Sequence, residues 1–477
     1  MQASAACVNT GSLTPGRAEP RGSTHIGMRE WSHAPRLLET SVMKHTAQPD
    51  MYALSLNEAP EVTEQGGIQR QVADLDTLRR LEAADPHVLT PGLERRRPGK
   101  SFDLENSFDL EELVDRCSIR PGCLDAVLPL SRPACYAATL AKLRAFIDAD
   151  PTLRDYPSPI LSRHCGRAVL VAAEILGEDS HLTDEQLAQK AVYHLMMSVD
   201  MATSWLLDDA LDENSTDPLY CSAVAGLFAD MIRGDPVDLA ERVAAIRASS
   251  SRQGIPTAHV DALLPLLRWR RSLWLALGIP HHSTSLSVKI LQGFVDSLLR
   301  THEPFHTWQA YESHRSHNSG MQLIMIFSTY WNCYRWKIDP SPMERDEERF
   351  LTILFRYGGL GGLSNDLFGY EKDVAEGVAT AVEVARRSSL GGRGDDEQLT
   401  CAAFGRVIDI HNACLEELTD RAKTCGDPLE AAMLFSGLRA AWSVRALHQE
   451  YSAIYRAGWL AKALLARALG LPPVRSA

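Results

Sequence analysis

Prolines interrupt this chain at short intervals from about residue 120 onward, and segments with helical periodicity lie between them. Proline lacks the backbone N–H that a helix interior needs, so these prolines divide the chain into separate helices. Apolar residues recur at three- and four-residue spacing in the segments between the prolines, and no stretch shows strand alternation. These segments are 136–149, 161–177, 184–209, 259–278, 283–302, 307–337, 344–373, 398–424 and 428–468. We therefore predict an all-α fold, with a single large α-helical domain over 116–477.

The first 115 residues have a different composition. They are rich in Gly, Pro, Ser and Thr and include an Arg run at 95–97. Such a segment buries too little apolar surface to offset the entropy lost on ordering. We predict a disordered or weakly ordered N-terminal tail over 1–115.

Composition and charge exclude several classes of protein. A net charge of −12 is opposite to the basic character expected of a protein that binds nucleic acid. The longest uncharged run, 316–334, contains polar residues such as Gln322 and Asn332, so it predicts a buried core helix and no stable membrane insertion. The cysteines form no CxxC pair, and a chain of this size needs no disulfide framework. We expect reduced thiols and a cytoplasmic location.

An acidic cluster ends one of the longest apolar segments, with the sequence Asp-Asp-Ala-Leu-Asp at 208–212. On a helix, Asp208 and Asp212 lie one above the other, with Asp209 beside them. Carboxylates grouped in this way suit Mg²⁺, which takes one or two of them and leaves its other positions for water and phosphate. A solvated helix end would have the same pattern, so this motif alone is weak.

A second cluster is more specific. It reads Asn-Asp-Leu-Phe-Gly-Tyr-Glu-Lys-Asp at 365–373. Asn365, Gly369 and Asp373 are four residues apart and would share about 80° of one helical face, with Lys372 beside the last of them. An amide, a small residue and a carboxylate next to a lysine fit a metal that is shared with an anion. The alternative is an ordinary helix end with a capping Asn and surface charges.

Together the motifs resemble those of class I terpene cyclases of the microbial type, the trichodiene synthase-like sesquiterpene cyclases of bacteria and fungi. The run at 208–212 is similar to the aspartate-rich motif of that family, and 365–373 is similar to its second metal-binding motif. Between them, the segment 311–320 carries Arg315 where the family has an arginine that senses the diphosphate, followed by Gly320 at a helix break. The resemblance spans roughly 130–460.

The resemblance implies a single class I terpene synthase helical bundle that ionises a prenyl diphosphate, with farnesyl diphosphate favoured, and cyclises the carbocation to a sesquiterpene. It implies three Mg²⁺ ions, held by Asp208, Asp209, Asp212, Asn365, Gly369 and Asp373. Arg315 and Lys372 would bind the diphosphate and assist its departure. Trp205 precedes Asp208 by three residues, so we expect it at the same site, where its ring would stabilise a cation.

Three positions depart from the family pattern. Gly369 stands where the family has Ser or Thr, and Asp373 stands where it has Glu. Counting from Trp442, His448 and Gln449 occupy the positions of an Arg-Tyr pair that binds the leaving group in the family. Arg445, Tyr451 and Arg456 are the candidate replacements for that pair.

Two alternatives remain open at the level of sequence. A chain-elongating prenyl transferase has the same fold and metals but carries two DDxxD motifs, whereas the second motif here is of the Asn/Gly/Asp kind. A non-catalytic helical protein with a degraded metal site would explain the departures at Gly369 and Asp373. The oligomeric state is left open.

Overall fold

The computed structural model describes residues 110–121, 123, 135–154, 156, 158–177, 182–212, 217–233, 239–253, 258–280, 285–301, 303–389, 396–455 and 458–469. Within these residues the protein is all-α, as predicted, and contains no strand. The predicted tail lies outside the described residues except for 110–115. Those six belong to a helix over Leu110–Cys117 that crosses the predicted boundary.

The described part of the chain contains eighteen helices, more than the sequence periodicity indicated. In chain order they are α1 Leu110–Cys117, α2 Cys135–Ala149, α3 Pro151–Arg154, α4 Ser158–Leu176, α5 Asp184–Asp212, α6 Pro218–Arg233, α7 Leu239–Gln253, α8 Ala258–Ala276, α9 Leu286–Leu298, α10 Trp308–Asn318, α11 Met321–Trp336, α12 Pro342–Arg345, α13 Glu347–Phe368, α14 Tyr370–Ala375, α15 Ala381–Ser389, α16 Asp396–Thr424, α17 Pro428–Tyr455 and α18 Gly458–Ala468. Pro265 lies within α8, which continues on both sides of it.

Three predicted segments each contain more than one helix. The segment 307–337 divides at Gly320, which has a left-handed backbone (φ 65°) that glycine adopts at no steric cost. The segment 344–373 divides at Gly369, and 428–468 divides between Tyr455 and Gly458. Thr307 begins α10 as its N-cap, with the side-chain oxygen accepting a hydrogen bond from the N–H of Ala310 at 3.2 Å.

The largest hydrophobic core lies among the long helices. α5 packs on α4 and α8, while α11 and α13 both pack on α17. Trp331 and Trp442 are among the largest side chains buried there. Each fully buried large apolar side chain stabilises the fold by about 1.5–3 kcal/mol before entropy is subtracted. A smaller core around Phe404 joins α15, α16 and α18 to the end of α13.

No helix of the described residues is long and apolar enough to cross a membrane. The segment 316–334, predicted to be a core helix, forms the end of α10 and most of α11. Residues 321–333 of α11 are all buried. Some polar residues of that helix make internal hydrogen bonds, such as the one from Asn332 Nδ2 to Ser436 Oγ at 2.9 Å.

Candidate active site

Six of the nine site residues predicted from the sequence line one pocket, which has a cavity volume of about 170 Å³. They are Trp205, Asp208, Arg315, Asn365, Lys372 and Asp373. The pocket lies among α5, α9, α10, α11, α13, α14 and α17. The remaining lining residues are Asp200, Met201, Ser204, Phe294, Thr301, Asn318, Ser319, Gly320, Leu323, Ile324, Gly361, Gly362, Val378 and His448.

One face of α5 forms a wall of this pocket. The lining residues Asp200, Met201, Ser204, Trp205 and Asp208 recur at the spacing that places side chains on one side of a helix. Met201 and Trp205 make part of the wall apolar, and Phe294 of α9 and Leu323 and Ile324 of α11 extend the apolar surface. The carboxylate of Asp208 lies at the end of α5 where the second motif approaches.

The other two aspartates of the first motif are not among the lining residues. Asp209 Oδ2 lies 2.7 Å from Nε2 of His164, a buried residue on α4. The hydrogen bond ties Asp209 to α4, and on a helix its side chain points about 100° away from that of the neighbouring Asp208. The side chain of Asp212 lies outside the described residues. Of the two aspartates of this motif whose side chains the structure describes, Asp208 lines the pocket and Asp209 does not.

The second motif does not lie on the one uninterrupted helix that was expected, although the N–H of Asp373 still donates to Gly369 O at 3.0 Å. α13 ends at Phe368 and α14 begins at Tyr370, because the backbone turns at Gly369 (φ −95°, ψ 1°). A hydrogen bond of 2.6 Å from Gly369 N to Asn365 O closes the end of α13. Asn365 and Asp373 still reach the same pocket from either side of this turn.

Gly369 itself leaves no room for a side chain. A Cβ added there would lie 2.9 Å from the backbone oxygen of Asn365 and 3.4 Å from Asp373 Oδ2. The first distance is shorter than real Cβ contacts, and the atom concerned is backbone. The Ser or Thr of the family pattern would therefore require the turn to move, which explains in physical terms why glycine is present.

Arg315 is held in the pocket wall by a buried carboxylate that sequence reasoning did not single out. Its Nη2 donates to Asp366 Oδ1 at 2.6 Å, and its Nη1 donates to Asn318 Oδ1. Asp366 is fully buried, and its Oδ2 accepts a hydrogen bond from the N–H of Ala381 at 2.6 Å. Burial and the nearby Asp373 carboxylate raise the pKa of Asp366 well above its usual range, although the bond from Ala381 opposes this.

Glycines of α13 let Arg315 and its neighbours approach that helix. A Cβ on Gly362 would lie 2.5 Å from Cγ of Arg315, and one on Gly361 would lie 3.2 Å from Cβ of Met321. Gly361 and Gly362 therefore allow close helix packing. The hydroxyl of Ser319 adds a polar link, because it donates to Gly358 O at 2.7 Å.

Lys372 lies at the edge of the pocket, with its side chain 34% exposed. Its Nζ is 3.7 Å from Asp373 Oδ1 and 3.2 Å from Glu376 Oε2. Because the Glu376 carboxylate is itself partly open to solvent, the ammonium group can exchange it for another anion at low cost.

His448 occupies the pocket at one position of the Arg-Tyr pair. Its Nδ1 lies 3.1 Å from Ser364 Oγ. Burial, reinforced by the positive charges of Arg315 and Lys372, lowers the pKa of His448 to about 3, so the ring is neutral. Gln449 points elsewhere, with its Nε2 donating to Cys123 O at 2.7 Å, and Arg445 donates to Arg116 O. The side chains of Tyr451 and Arg456 lie outside the described residues.

Five aromatic residues on α5, α11 and α13 divide into two groups. Trp205 lines the pocket, whereas Phe327, Tyr330, Trp331 and Tyr357 are core residues outside its lining. Periodicity alone does not separate the two groups, since all of them lie on buried helix faces. Sequence reasoning missed Phe294, Asp200 and Asp366, and it gave His448 no role of its own. Of these residues, only Asp200 could have been found from the sequence, because it lies eight residues before Asp208 and therefore on a similar face of the same helix.

Within the described residues, no group of three or more His, Cys, Asp or Glu side chains is placed to hold a metal ion. From the two motifs the pocket instead receives two carboxylates, Asp208 and Asp373, and one amide, Asn365. These are hard oxygen donors, and Mg²⁺ commonly uses one or two carboxylates together with the phosphates of a substrate. The donor set therefore fits Mg²⁺ bound with an anionic ligand, and the cationic side chains of Arg315 and Lys372 line the same pocket.

No family model matches the chain, and no curated protein matches it.

Proposed function

We propose that this protein is a Mg²⁺-dependent terpene cyclase that ionises a prenyl diphosphate, with farnesyl diphosphate as the favoured substrate, and releases diphosphate with a cyclic product. One observation carries the proposal. The two carboxylates and the amide of separate motifs, two cationic side chains and an apolar wall line the same pocket. Oxygen ligands and cations at one end suit a diphosphate, and an apolar wall suits a hydrocarbon chain.

Arg315 and Lys372 would bind the diphosphate oxygens through charge-assisted hydrogen bonds. Asp208, Asn365 and Asp373 would hold Mg²⁺, which supplies Lewis-acid stabilisation of the negative charge that develops on the leaving group. Asp366 positions Arg315 through their buried ion pair. Asp209 and Gly369 have no direct part in this proposal, because Asp209 is bonded to His164 and Gly369 has no side-chain donor.

The apolar wall would receive the prenyl chain and exclude bulk water from the carbocation. Trp205 presents an aromatic ring beside Asp208, and Phe294 presents a second ring from α9. An aromatic face stabilises a nearby cation by about 0.5–2 kcal/mol. The neutral His448 adds no positive charge that would repel such a cation.

We propose a cytosolic location for the reaction. The nine cysteines that the structure describes are all free, which supports a reducing compartment. Prenyl diphosphate is the only partner that the proposal requires.

The test supplies purified protein with Mg²⁺ and, separately, geranyl, farnesyl and geranylgeranyl diphosphate. Diphosphate release is measured, and volatile products are analysed by gas chromatography–mass spectrometry. We expect a cyclic product from farnesyl diphosphate and a loss of about 100-fold in turnover for Asp208→Asn and Asp373→Asn. Asp420→Asn, an exposed aspartate on α16, is the matched control and should retain full turnover.

Two results would contradict the proposal. A longer prenyl diphosphate, formed when isopentenyl diphosphate is added, would identify a chain-elongating transferase. No diphosphate release from any of the three substrates, by protein shown to be folded, would favour a non-catalytic helical protein.

A further inference from the structure

The pocket has a second polar locus on α5, away from the motif residues. Asp200 and Ser204 line the pocket together with Asp208, at intervals of four residues. With a rise of 1.5 Å per residue, Asp200 lies about 12 Å from Asp208 along the helix axis. Met201 and Trp205 lie beside this strip. The polar pair is therefore set in the part of the wall that would face the hydrocarbon chain, distant from the diphosphate.

Asp200 is a buried carboxylate whose negative charge is balanced by Arg270, a residue outside the pocket lining. Its Oδ1 accepts a hydrogen bond from Nε of Arg270 on α8, and both side chains are almost fully buried. The Arg270 guanidinium lies over Trp274, with 4.7 Å between its central carbon and the ring centroid, and it does not line the pocket. Burying such a pair costs more than filling the same space with apolar side chains. A role in the pocket would account for its presence.

Ser204 has an unusual environment for a buried helical hydroxyl. Its neighbours Ser198 and Thr203 donate to the carbonyl oxygens of His194 and Val199, four residues earlier, at 2.6 Å and 2.5 Å. The hydroxyl of Ser204 is buried but makes no hydrogen bond to any residue that the structure describes. An unsatisfied buried hydroxyl costs about 1–3 kcal/mol, so this group is suited to a polar ligand in the pocket.

We propose that Asp200 and Ser204 bind one water molecule, which adds to the substrate carbocation and makes the product a terpene alcohol. This inference rests on the proposed function. The two side chains are four residues apart on one helix face, which places their Cβ atoms about 5–6 Å apart, a separation that one water can bridge. A buried water needs two to four polar partners, and this pair supplies two.

The chemistry balances without an oxidant or reductant. A lone pair of the water oxygen forms a C–O bond to the cationic carbon, and the oxonium ion that results loses a proton. The Asp200 carboxylate accepts that proton and later returns it to solvent. Burial raises the pKa of Asp200, against the opposing effect of Arg270, and a raised pKa favours proton acceptance.

The experiment measures products and diphosphate release in H₂¹⁸O with farnesyl diphosphate and Mg²⁺. We expect the wild-type protein to form an alcohol that carries ¹⁸O. In Ser204→Ala the ratio of alcohol to hydrocarbon should fall about tenfold, as loss of one hydrogen bond to a reacting water predicts, while diphosphate release is retained. Ser198→Ala is the matched control, since this serine lies on the same helix and is bonded to His194 O outside the pocket.

Ser204→Ala is preferred to a change at Asp200, which would leave Arg270 buried without its carboxylate. Asp200→Asn serves as a second variant once its folding has been verified by circular dichroism, and it should also lower the alcohol fraction. Diphosphate release with only hydrocarbon products, or an alcohol fraction unaffected by Ser204→Ala, would overturn this inference and leave the cyclase proposal intact. No diphosphate release from any substrate would overturn both.

Discussion

The ion pair between Arg315 and Asp366 illustrates how a single buried residue can control this pocket. Asp366 contacts both the guanidinium of Arg315 and the N–H of Ala381, the first residue of α15. Burial raises the pKa of Asp366, so its contribution is taken from its two hydrogen bonds, and a buried donor that loses its acceptor costs about 1–3 kcal/mol. We expect Asp366→Asn to lower the free energy of unfolding by about 1–3 kcal/mol, measured by urea denaturation, and to reduce diphosphate release more than the loss of folded protein accounts for.

The exposed pair of Arg300 and Glu303 provides the control for this prediction. Both side chains are about half exposed, and an exposed pair contributes about 0–1 kcal/mol. Glu303→Gln should therefore leave both stability and turnover almost unchanged. Equal effects of Asp366→Asn and Glu303→Gln on stability would contradict a positioning role for Asp366.

At Gly369 the steric and chemical effects of a side chain can be separated. Alanine and serine both add the Cβ that would lie 2.9 Å from Asn365 O, and only serine adds a hydroxyl. We expect Gly369→Ala and Gly369→Ser to lower the free energy of unfolding by a similar amount, about 1–3 kcal/mol, because overpacking is common to both. Thermal melts measure that loss. Unchanged melting in both variants would show that the turn adapts freely, and tighter Mg²⁺ binding by the serine variant alone would show that the hydroxyl acts as a ligand.

The aspartates at 208–209 show how far residue-level prediction reaches. Sequence spacing indicated that Asp208, Asp209 and Asp212 share one region of a helix, and Asp208 does line the pocket. The direction of Asp209 depends on His164, which is distant in sequence and belongs to another helix. Tertiary partners of this kind carry no periodic signal, so Asp209 and Asp366 could not be assigned from the sequence.

At the scale of the elements, α13 is shaped by its glycines. A Cβ added to Gly362 would lie 2.5 Å from Arg315 Cγ, whereas a Cβ on Gly359 would meet nothing within 4 Å. We expect Gly362→Ala to lower the free energy of unfolding by about 1–3 kcal/mol and to reduce turnover, because Arg315 must move. Gly359→Ala should raise the free energy of unfolding by about 0.5–1 kcal/mol, since alanine is the better helix former.

Urea denaturation of the two variants, together with diphosphate release, measures the difference. The pair is matched because both changes add one methyl group to the same helix. The role of the glycine face would be refuted by a Gly362→Ala variant as stable and as active as Gly359→Ala.

Helix type was predictable for this chain, but helix ends were less so. Periodicity and prolines identified the long segments, including most of α5, α16 and α17. They did not reveal the break at Gly369, because its neighbours continue the helical pattern and the turn is set by backbone geometry. Helices α1, α3, α6, α7 and α15 were not in the predicted set.

At the scale of the whole molecule, three buried histidines make stability depend on pH. Burial lowers the pKa of His411 to about 4 and the pKa values of His314 and His448 to about 3. At His411 a hydrogen bond to Asn412 raises the pKa, and the positive charge of Arg445 lowers it further. The unfolded chain binds protons at these histidines near a pH of about 6.5, whereas the folded protein does not. Above about pH 6.5 these histidines are neutral in both states and do not lower the free energy of unfolding. As the pH falls from about 6.5 toward about 4, the unfolded chain takes up protons that the folded protein does not, and the free energy of unfolding decreases.

His411 is the best site for testing this dependence, because it lies on α16 outside the pocket. Between about pH 7 and about pH 5 the shift at His411 should cost about 2 kcal/mol of the free energy of unfolding. His411→Gln removes the titrating group and keeps a neutral polar side chain, so its urea midpoint should fall less than that of the wild-type protein over this range. His306→Gln, at an exposed position, should follow the wild-type protein. Parallel pH curves for His411→Gln and the wild-type protein would contradict the assignment of this acid sensitivity to His411.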